Sequence, residues 1–419
     1  MSEARGTALF LSHDVSRSGA PLMLLNFLRW FRRTHDMRLR ILAGKSGDLL
    51  PEFAELGEVD CFEAEPSFAY RALHALNLYP TQASRGQIAS HLAVLRQTLI
   101  GCDIRLIYAN SVASARMVQF LSFLDCPVIC HVHELDVSIR ALQAPGLDII
   151  GLLKARTSRY IAVSDAVKAN LVDRHGVPAS KIDVVLGLGP PPADHGVESF
   201  QPRDIRHELA IPAEARIVCG CGSIEPRKGT DLFLDVAVHA AASRRGPAVH
   251  FVWVGGRSRE VDLMRRQAAS LGLSGVVHFV GQTADVAPYF EASELVLLTS
   301  REESLSLVML EAALRCKPII CFEGSGHPPE FVRDGNGLAI AGFDPRKMAE
   351  TLMEALADSE LCWRMGESAR QKVTDRYDFN RGANRIAEII EDTLQFRTSA
   401  TDGVKVSAKG ECRNDSLGV

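Results

Sequence analysis

Two glutamates eight positions apart, Glu303 and Glu311, stand in the stretch LVLLTSREESLSLVMLEAALRCKPIIC that runs from Leu295 to Cys321. Carboxylates accept hydrogen bonds from the hydroxyls of a sugar or a ribose, and a pair of them can also share acid and base work. Spacing alone leaves both readings open for the pair, together with a plain solvated helix charge for Glu311. A second group lies upstream, where Arg227, Lys228 and Gly229 precede a helix that starts near Thr230. Positive charge beside free backbone N–H groups at a helix start suits a diphosphate. The third candidate is His133 in His131-Val132-His133-Glu134, at the carboxyl end of an apolar run. Alternate residues of a strand share a face, but an i, i+2 pair of histidines without further ligands is a poor zinc signal, so no metal is assigned. His133 reads instead as a polar contact to substrate, with a satisfied structural histidine as its bland alternative.

These side chains need elements to position them. The stretch opens with an apolar run ending at Thr299-Ser300, turns through Arg301 to Ser304, and then places Leu307, Val308, Leu310 and Leu314 at helical spacing before Lys317-Pro318 and a further buried strand. It is a strand–turn–helix–strand unit. Eight residues of helix rise about 12 Å, close to the span from a sugar across a diphosphate to a ribose. The N–H groups near Leu305 to Leu307 would face the phosphates. Further strands are expected at Thr7–Ser12, Leu39–Ala43, Ile104–Asn110, Pro127–Val132, Tyr160–Ser164 and Asp183–Gly187, then at Arg216–Gly220, Val249–Val254, Val276–Val280, Leu295–Thr299 and Pro318–Phe322. Alternation with helix-length amphipathic segments argues for an α/β protein of two doubly wound parallel sheets. Between them, Gly187 to Asp204 holds four prolines and three glycines and reads as a linker.

Ligands of such sheets bind beyond the carboxyl ends of the strands. After the first strand, Ser18-Gly19-Ala20-Pro21 starts a helix, with Ser18 as its cap and Gly19 permitting close approach. That helix ends in Trp30 and Phe31 among Arg29, Arg32 and Arg33, followed by Arg38 and Arg40. A solvated helix end is the first reading, and peripheral contact with an anionic membrane surface is the second. Gly220 and Gly222 follow a later strand, but Glu225 occupies the third position of the dinucleotide fingerprint, and Lys228 precedes rather than follows its glycine, so the Walker pattern fails as well. Gly255-Gly256 permits close backbone approach, and the glycines between Glu323 and Gly337 read either as a flexible wall of the site or as turns.

Global properties exclude several classes. With 419 residues the chain has room for two ordinary domains, and 47 basic against 51 acidic residues carry no nucleic-acid signature. No stretch approaches the roughly 20 apolar residues of a membrane span. The N-terminal apolar run reads as a strand rather than a secretory signal, and ten cysteines without a CxxC pair read as buried thiols of a reducing, cytoplasmic setting.

In order, the landmarks are SGAP, HVHEL, YIAVSDAVKANL, EPRKG, VHFVGQTADVAPYF and the E-x7-E spacing of Glu303 and Glu311. Over nearly the whole chain except its tail, the sequence resembles the retaining glycosyltransferases of family 4, with the GT-B fold. That resemblance implies an acceptor-side Rossmann-like domain over residues 1–190, a nucleotide-sugar-binding one over 191–375, and a helix over 376–396 crossing back to the first domain; the polar segment without periodicity over 397–419 reads as a disordered tail. It implies sugar transfer from a nucleoside-diphosphate sugar to a glycan or lipid-linked acceptor, with retention, without metal or cofactor, in the cytoplasm or at the inner face of the membrane. Glu303 would contact sugar hydroxyls, Glu311 the ribose, and Lys228 the diphosphate. Gly19, Gly222, Arg227, Ser304, Leu305, Ser306 and Leu307 would complete the donor site, and His133 would line the reaction centre. Three departures stand out: Ser223 replaces an arginine of the phosphate loop, Leu-Gly-Pro-Pro replaces the usual Asn-Gly-Val-Asp turn, and Leu305 replaces an aromatic. Two alternatives follow, a sugar-nucleotide-binding protein that has lost turnover and another GT-B enzyme such as a nucleotide-sugar epimerase.

Overall fold

Apolar runs too short to be buried helices, each bounded by glycine or polar turns, form parallel strands buried on both faces. The computed structural model describes residues 5–63, 82–143, 147–187, 189, 203–243, 248–283 and 285–407. They divide into two compact units, one of residues 1–162, 171–185 and 383–419, the other of residues 163–170 and 186–382. Both are α/β.

The first unit carries β1 (Arg5–Ser12), β2 (Met37–Ala43), β3 (Glu58–Cys61), β4 (Ile104–Asn110), β5 (Val128–Val132), β6 (Thr157–Ala162) and β7 (Ile182–Val184). They form one parallel sheet in the order β3-β2-β1-β4-β5-β6-β7. The second unit carries β8 (Arg216–Cys221), β9 (Val249–Val254), β10 (Val277–Gly281), β11 (Leu295–Leu298), β12 (Ile319–Phe322) and β13 (Gly337–Ile340), also parallel, in the order β10-β9-β8-β11-β12-β13. In each sheet the strand order reverses once, between β1 and β4 and between β8 and β11. A crevice opens at such a switch point, beyond the strand ends. The turns after β1, β4, β8 and β11 therefore matter most for function.

The expected strands are present within a few residues of their ends, while β3 and β13 were not foreseen. Each is four residues long, and neither carries a long apolar run: β3 is EVDC and β13 is GLAI. The last helix runs Phe379–Ser407, because Arg376 ends the preceding helix at Ser359–Arg376. The expected start at residue 376 is thus corrected, and so is the start of the tail at 397, which falls inside this helix; residues 408–419 lie outside the described ones. Ile386, Ile389 and Ile390 of the helix are buried, and Arg385 donates to Asp183 at 3.1 Å within the first unit. Gly382, at its first turn, meets Gly187 at the head of the linker so closely that an added Cβ would stand 1.5 Å from the Gly187 carbonyl oxygen. Most of that linker lies outside the described residues.

The aromatic half of the membrane reading is corrected. Trp30 and Phe31 are 6% and 1% exposed, packed with Phe27 and His35, so they cannot rest on a lipid surface. Arg40 is paired with Glu58 and Asp60. Among the described residues no helix is long and apolar enough to cross a membrane.

Candidate active site

In the second unit, the turn after β8 is shaped by crowding. Gly229 adopts φ +64°, and an added Cβ would lie 2.0 Å from the Thr299 carbonyl oxygen, so only glycine lets this turn close against the end of β11. The Thr299 hydroxyl donates to the Lys228 carbonyl at 3.3 Å, and the Arg301 amide donates to the Arg227 carbonyl at 2.7 Å. The two switch-point turns are thereby zipped together. Gly255 packs against the same turn, an added Cβ falling 2.2 Å from the Gly222 carbonyl oxygen. The close approach expected at Gly255 is to the chain's own backbone. The Gly222 amide in turn donates to Val254 at 2.9 Å.

Zipping the turns brings Lys228 and Glu303 together. Lys228 Nζ donates to Glu303 Oε1 at 2.6 Å, and the Ser300 hydroxyl donates to the same oxygen at 2.7 Å. Arg227 Nη1 stands 3.9 Å from Glu303 Oε2 and donates to the Glu302 carbonyl at 3.1 Å. Glu303 is 4% exposed. Burial would push its carboxyl up, but Lys228, then Arg227 and Ser300, outweigh burial and hold it below the ordinary carboxylate value. Arg227 also donates to Glu225 Oε1 at 2.7 Å, the oxygen that accepts from Ser223 at 2.9 Å. The loop residue standing in for an arginine is therefore a hydroxyl donor to Glu225.

Glu303 is not on the helix. It sits in the turn before it, its amide donating to Ser325 at 2.6 Å and its carbonyl accepting from the His327 amide at 2.9 Å. The helix spans only Leu307–Leu314. The expected turn through Arg301 to Ser304 thus holds Glu303, and the helix after it has eight residues, a rise of about 12 Å. Ser306 caps the helix by accepting from the Met309 amide at 3.4 Å, and the Ser304 carbonyl accepts from Ser164 at 2.6 Å. Leu305 and Leu307 are half-buried beside the cap. Glu311 lies on the helix with no hydrogen bond to its carboxylate among the described residues, and burial pushes its pKa up to about 7 against the pull of Arg315. The glycines after Glu323 prove to be turns, with Gly324 and Gly326 at positive φ and a short helix at Pro328–Val332.

In the first unit the turns after β1 and β4 carry a separate cluster. Gly19 begins the helix Gly19–Thr34, with Pro21 in its first turn. The expected side-chain cap from Ser18 does not form, because its hydroxyl pairs with Ser16 at 3.0 Å. His133 follows β5, and its Nε2 lies 2.8 Å from Asn110 Oδ1. Asn110 Nδ2 donates to the Ala20 carbonyl at 2.9 Å. Burial, then His131 and His13, hold the His133 ring's proton affinity well below its usual value. His131 itself is buried against Tyr108 at 2.7 Å, its pKa lowered by burial to about 3. Glu134 accepts from Ser111 and from the His133 amide. Among the described residues, no group of three or more histidines, cysteines, aspartates and glutamates could hold a metal ion.

Sequence reasoning missed Asn110, Ser300 and His327. Asn110 and Ser300 had a signal, since each is the polar end of an apolar strand at a switch point. His327 had none; it is fully buried, its ring against the Tyr377 hydroxyl at 2.8 Å, and its contact with Glu303 is through backbone.

Two family models match successive parts of the chain: Glycosyltransferase Family 4 over residues 18–186, and Glycosyl transferases group 1 over residues 202–372. Among curated proteins, the chain is 31% identical over 182 residues to the lipopolysaccharide core biosynthesis glycosyltransferase LpsE of Rhizobium meliloti, covering 41% of this chain and 51% of that protein. It is 26% identical over 252 residues to the D-inositol 3-phosphate glycosyltransferase of Corynebacterium kroppenstedtii, covering 57% and 54%. The chain thus spans about half the length of these curated relatives. Among solved structures, Anabaena HepE in complex with UDP and glucose aligns with a TM-score of 0.72 at 22% identity, over 92% of this chain and 100% of that one. Sucrose-phosphate synthase from Thermosynechococcus elongatus aligns with a TM-score of 0.72 at 19% identity, over 93% and 100%. The fold is GT-B.

Proposed function

We propose that this protein is a glycosyltransferase that moves a sugar from a nucleoside-diphosphate sugar to a hydroxyl of a glycan or lipid-linked acceptor, with retention at the anomeric carbon and without a metal. The observation that carries the reading is the buried Lys228–Glu303 pair at 2.6 Å, held where the β8 and β11 turns meet. A cation and a carboxylate at one switch point match the two ends of a sugar diphosphate. Lys228 faces the diphosphate, Glu303 the sugar hydroxyls, and Glu311 the ribose. Gly222, Arg227 and the backbone from Ser304 to Leu307 complete the donor side, with Gly19 approaching the diphosphate and His133 touching substrate as the resemblance implies. The solved relative with UDP and glucose supports a nucleotide-sugar donor, and LpsE supports a lipid-linked glycan acceptor.

In the transfer, the bond from the anomeric carbon to the diphosphate oxygen breaks and a bond to the acceptor oxygen forms. The acceptor's proton goes to the departing diphosphate oxygen, so no side chain acts as nucleophile. Lys228 and Arg227 stabilise the charge that gathers on the leaving group. Every described cysteine is a free thiol, which fits the cytoplasmic setting we assign.

Ser223 motivates a second reading. Its hydroxyl is tied to Glu225 rather than presenting charge to a phosphate, which fits a protein that binds a sugar nucleotide without turning it over. A panel of UDP-, GDP- and dTDP-sugars, read as nucleotide release with and without an acceptor extract, separates the readings. Acceptor-dependent release supports transfer and argues against an epimerase. Calorimetric binding of UDP or GDP with no release from any donor overturns transfer in favour of the binding protein.

A further inference from the structure

The ring of His133 has one geometric feature that its assignment as a substrate contact does not use. Its Nε2 meets Asn110 Oδ1 at 2.8 Å, while the other arm of the same amide, Nδ2, reaches the Ala20 carbonyl at 2.9 Å. A backbone carbonyl can only accept, so the atom facing Ala20 must be the amide nitrogen, whichever way an asparagine is first drawn. The oxygen then faces His133, and an amide oxygen can only accept. His133 Nε2 must carry a proton.

We infer that Asn110 is a positioning residue that locks His133 in the Nε2–H tautomer and ties that ring to the carbonyl of Ala20, at the start of the Gly19–Thr34 helix. The lone pair of the neutral ring then resides on Nδ1, which can accept a hydrogen bond and cannot donate one. Asn110 is suited to this by position: it ends β4 at the switch point, is 1% exposed, and its own carbonyl accepts from Ser114 at 3.2 Å. Surrounding groups keep the ring neutral, since burial comes first and His131 and His13 add to it. Glu134 holds the His133 backbone amide at 3.0 Å. One carbonyl, one amide and one imidazole thus transmit the position of the first-helix turn to the tautomer of a substrate-facing ring. The link to catalysis rests on the reading of His133 as a substrate contact; the tautomer does not.

The experiment is long-range proton–nitrogen NMR of the full chain with nitrogen-labelled histidine, the His133 ring assigned by its loss in His133→Gln. The expected spectrum shows a protonated Nε2 and an unprotonated Nδ1 at neutral pH. In Asn110→Ala that single tautomer is lost to a mixture, and nucleotide release falls by about 10²-fold, as loss of orientation predicts. Asn110→Asp, nearly the same shape, keeps an acceptor for Nε2–H but repels the Ala20 carbonyl, so the Nε2–H signal persists while turnover falls. A protonated Nδ1 in the wild type, or an unchanged tautomer in Asn110→Ala, overturns the inference even if sugar transfer is established. If the tautomer is as stated but His133→Gln turns over like wild type, the role of His133 falls and the positioning by Asn110 becomes structural only.

Discussion

Replacing Lys228 with methionine keeps the stem of the side chain and removes its charge, which tests two consequences of the same 2.6 Å contact. The first is stability. Glu303 is 4% exposed, and without Lys228 its carboxylate keeps, among the described residues, the Ser300 hydroxyl and Arg227 at 3.9 Å. Breaking a buried pair by removing one partner costs roughly 3–5 kcal/mol, and the surviving partners put Lys228→Met at about 3. For a unit of this size that is a fall in Tm of roughly 6–12 °C. The deficit should depend on pH. In the wild type, Glu303 has a depressed pKa, so its contribution is present above the unfolded value and lost only as pH falls through the folded one. In Lys228→Met burial dominates and the folded pKa is raised, so the deficit is largest at neutral pH and shrinks on acidification. The second consequence is catalytic, a loss of about 2.7–4 kcal/mol of transition-state stabilisation, or about 10²–10³-fold in nucleotide release. The double variant Lys228→Met/Glu303→Gln removes the orphaned charge. It should recover most of the Tm while staying slow. Turnover of Lys228→Met near wild type refutes the role in transfer, and a double variant no more stable than Lys228→Met refutes the electrostatic account of the pair.

Glu311 makes the opposite pH statement. Its folded pKa is raised to about 7, so the stability it contributes is present below the unfolded value near 4.5 and is lost as pH rises through 7. Glu311→Gln should flatten the Tm-against-pH curve between those limits, and a curve parallel to wild type counts against the burial argument. If its carboxylate accepts from a ribose, binding UDP at pH 7 should release protons, read by calorimetry in two buffers of different ionisation enthalpy; equal heats would exclude that contact. Gly229→Ala must place a Cβ 2.0 Å from the Thr299 carbonyl at positive φ, with a cost of about 1–3 kcal/mol for the backbone alone. Thermal unfolding should show it, together with weaker UDP binding, because the same turn aims Lys228.

What the sequence disclosed, and what it withheld, follow from the range of the interactions involved. Most strands could be read directly, because parallel strands bury both faces and leave an uninterrupted apolar run. β3 and β13 were illegible because EVDC carries two acidic residues and GLAI opens on glycine, so neither has a run of β-branched or aromatic residues to mark it. Lys228 and Glu303 were legible as candidate residues, but not as a pair. They are 75 positions apart, and their contact requires the Gly229 turn to close against Thr299, a fact of packing with no local signature. The same limit applied to Trp30 and Phe31, whose neighbouring arginines suggested a surface while the core of the first unit claimed both rings.

Lys228 and Glu303 satisfy each other, with Ser300 and Arg227 in support, and under the proposed function the first would face the diphosphate and the second the sugar. On that proposal a donor would replace the pair's mutual contact with contacts of its own, which a bare diphosphate would do on one side only. A nucleotide alone engages Lys228 and leaves Glu303 buried with weaker compensation, whereas the intact sugar diphosphate supplies hydroxyl donors to the carboxylate at the same time. Discrimination in favour of the complete donor over its nucleotide product is then expected under that proposal. Glu303→Gln should erase that difference by making the nucleotide bind relatively better, and unchanged relative affinities for UDP and the sugar nucleotide would refute it.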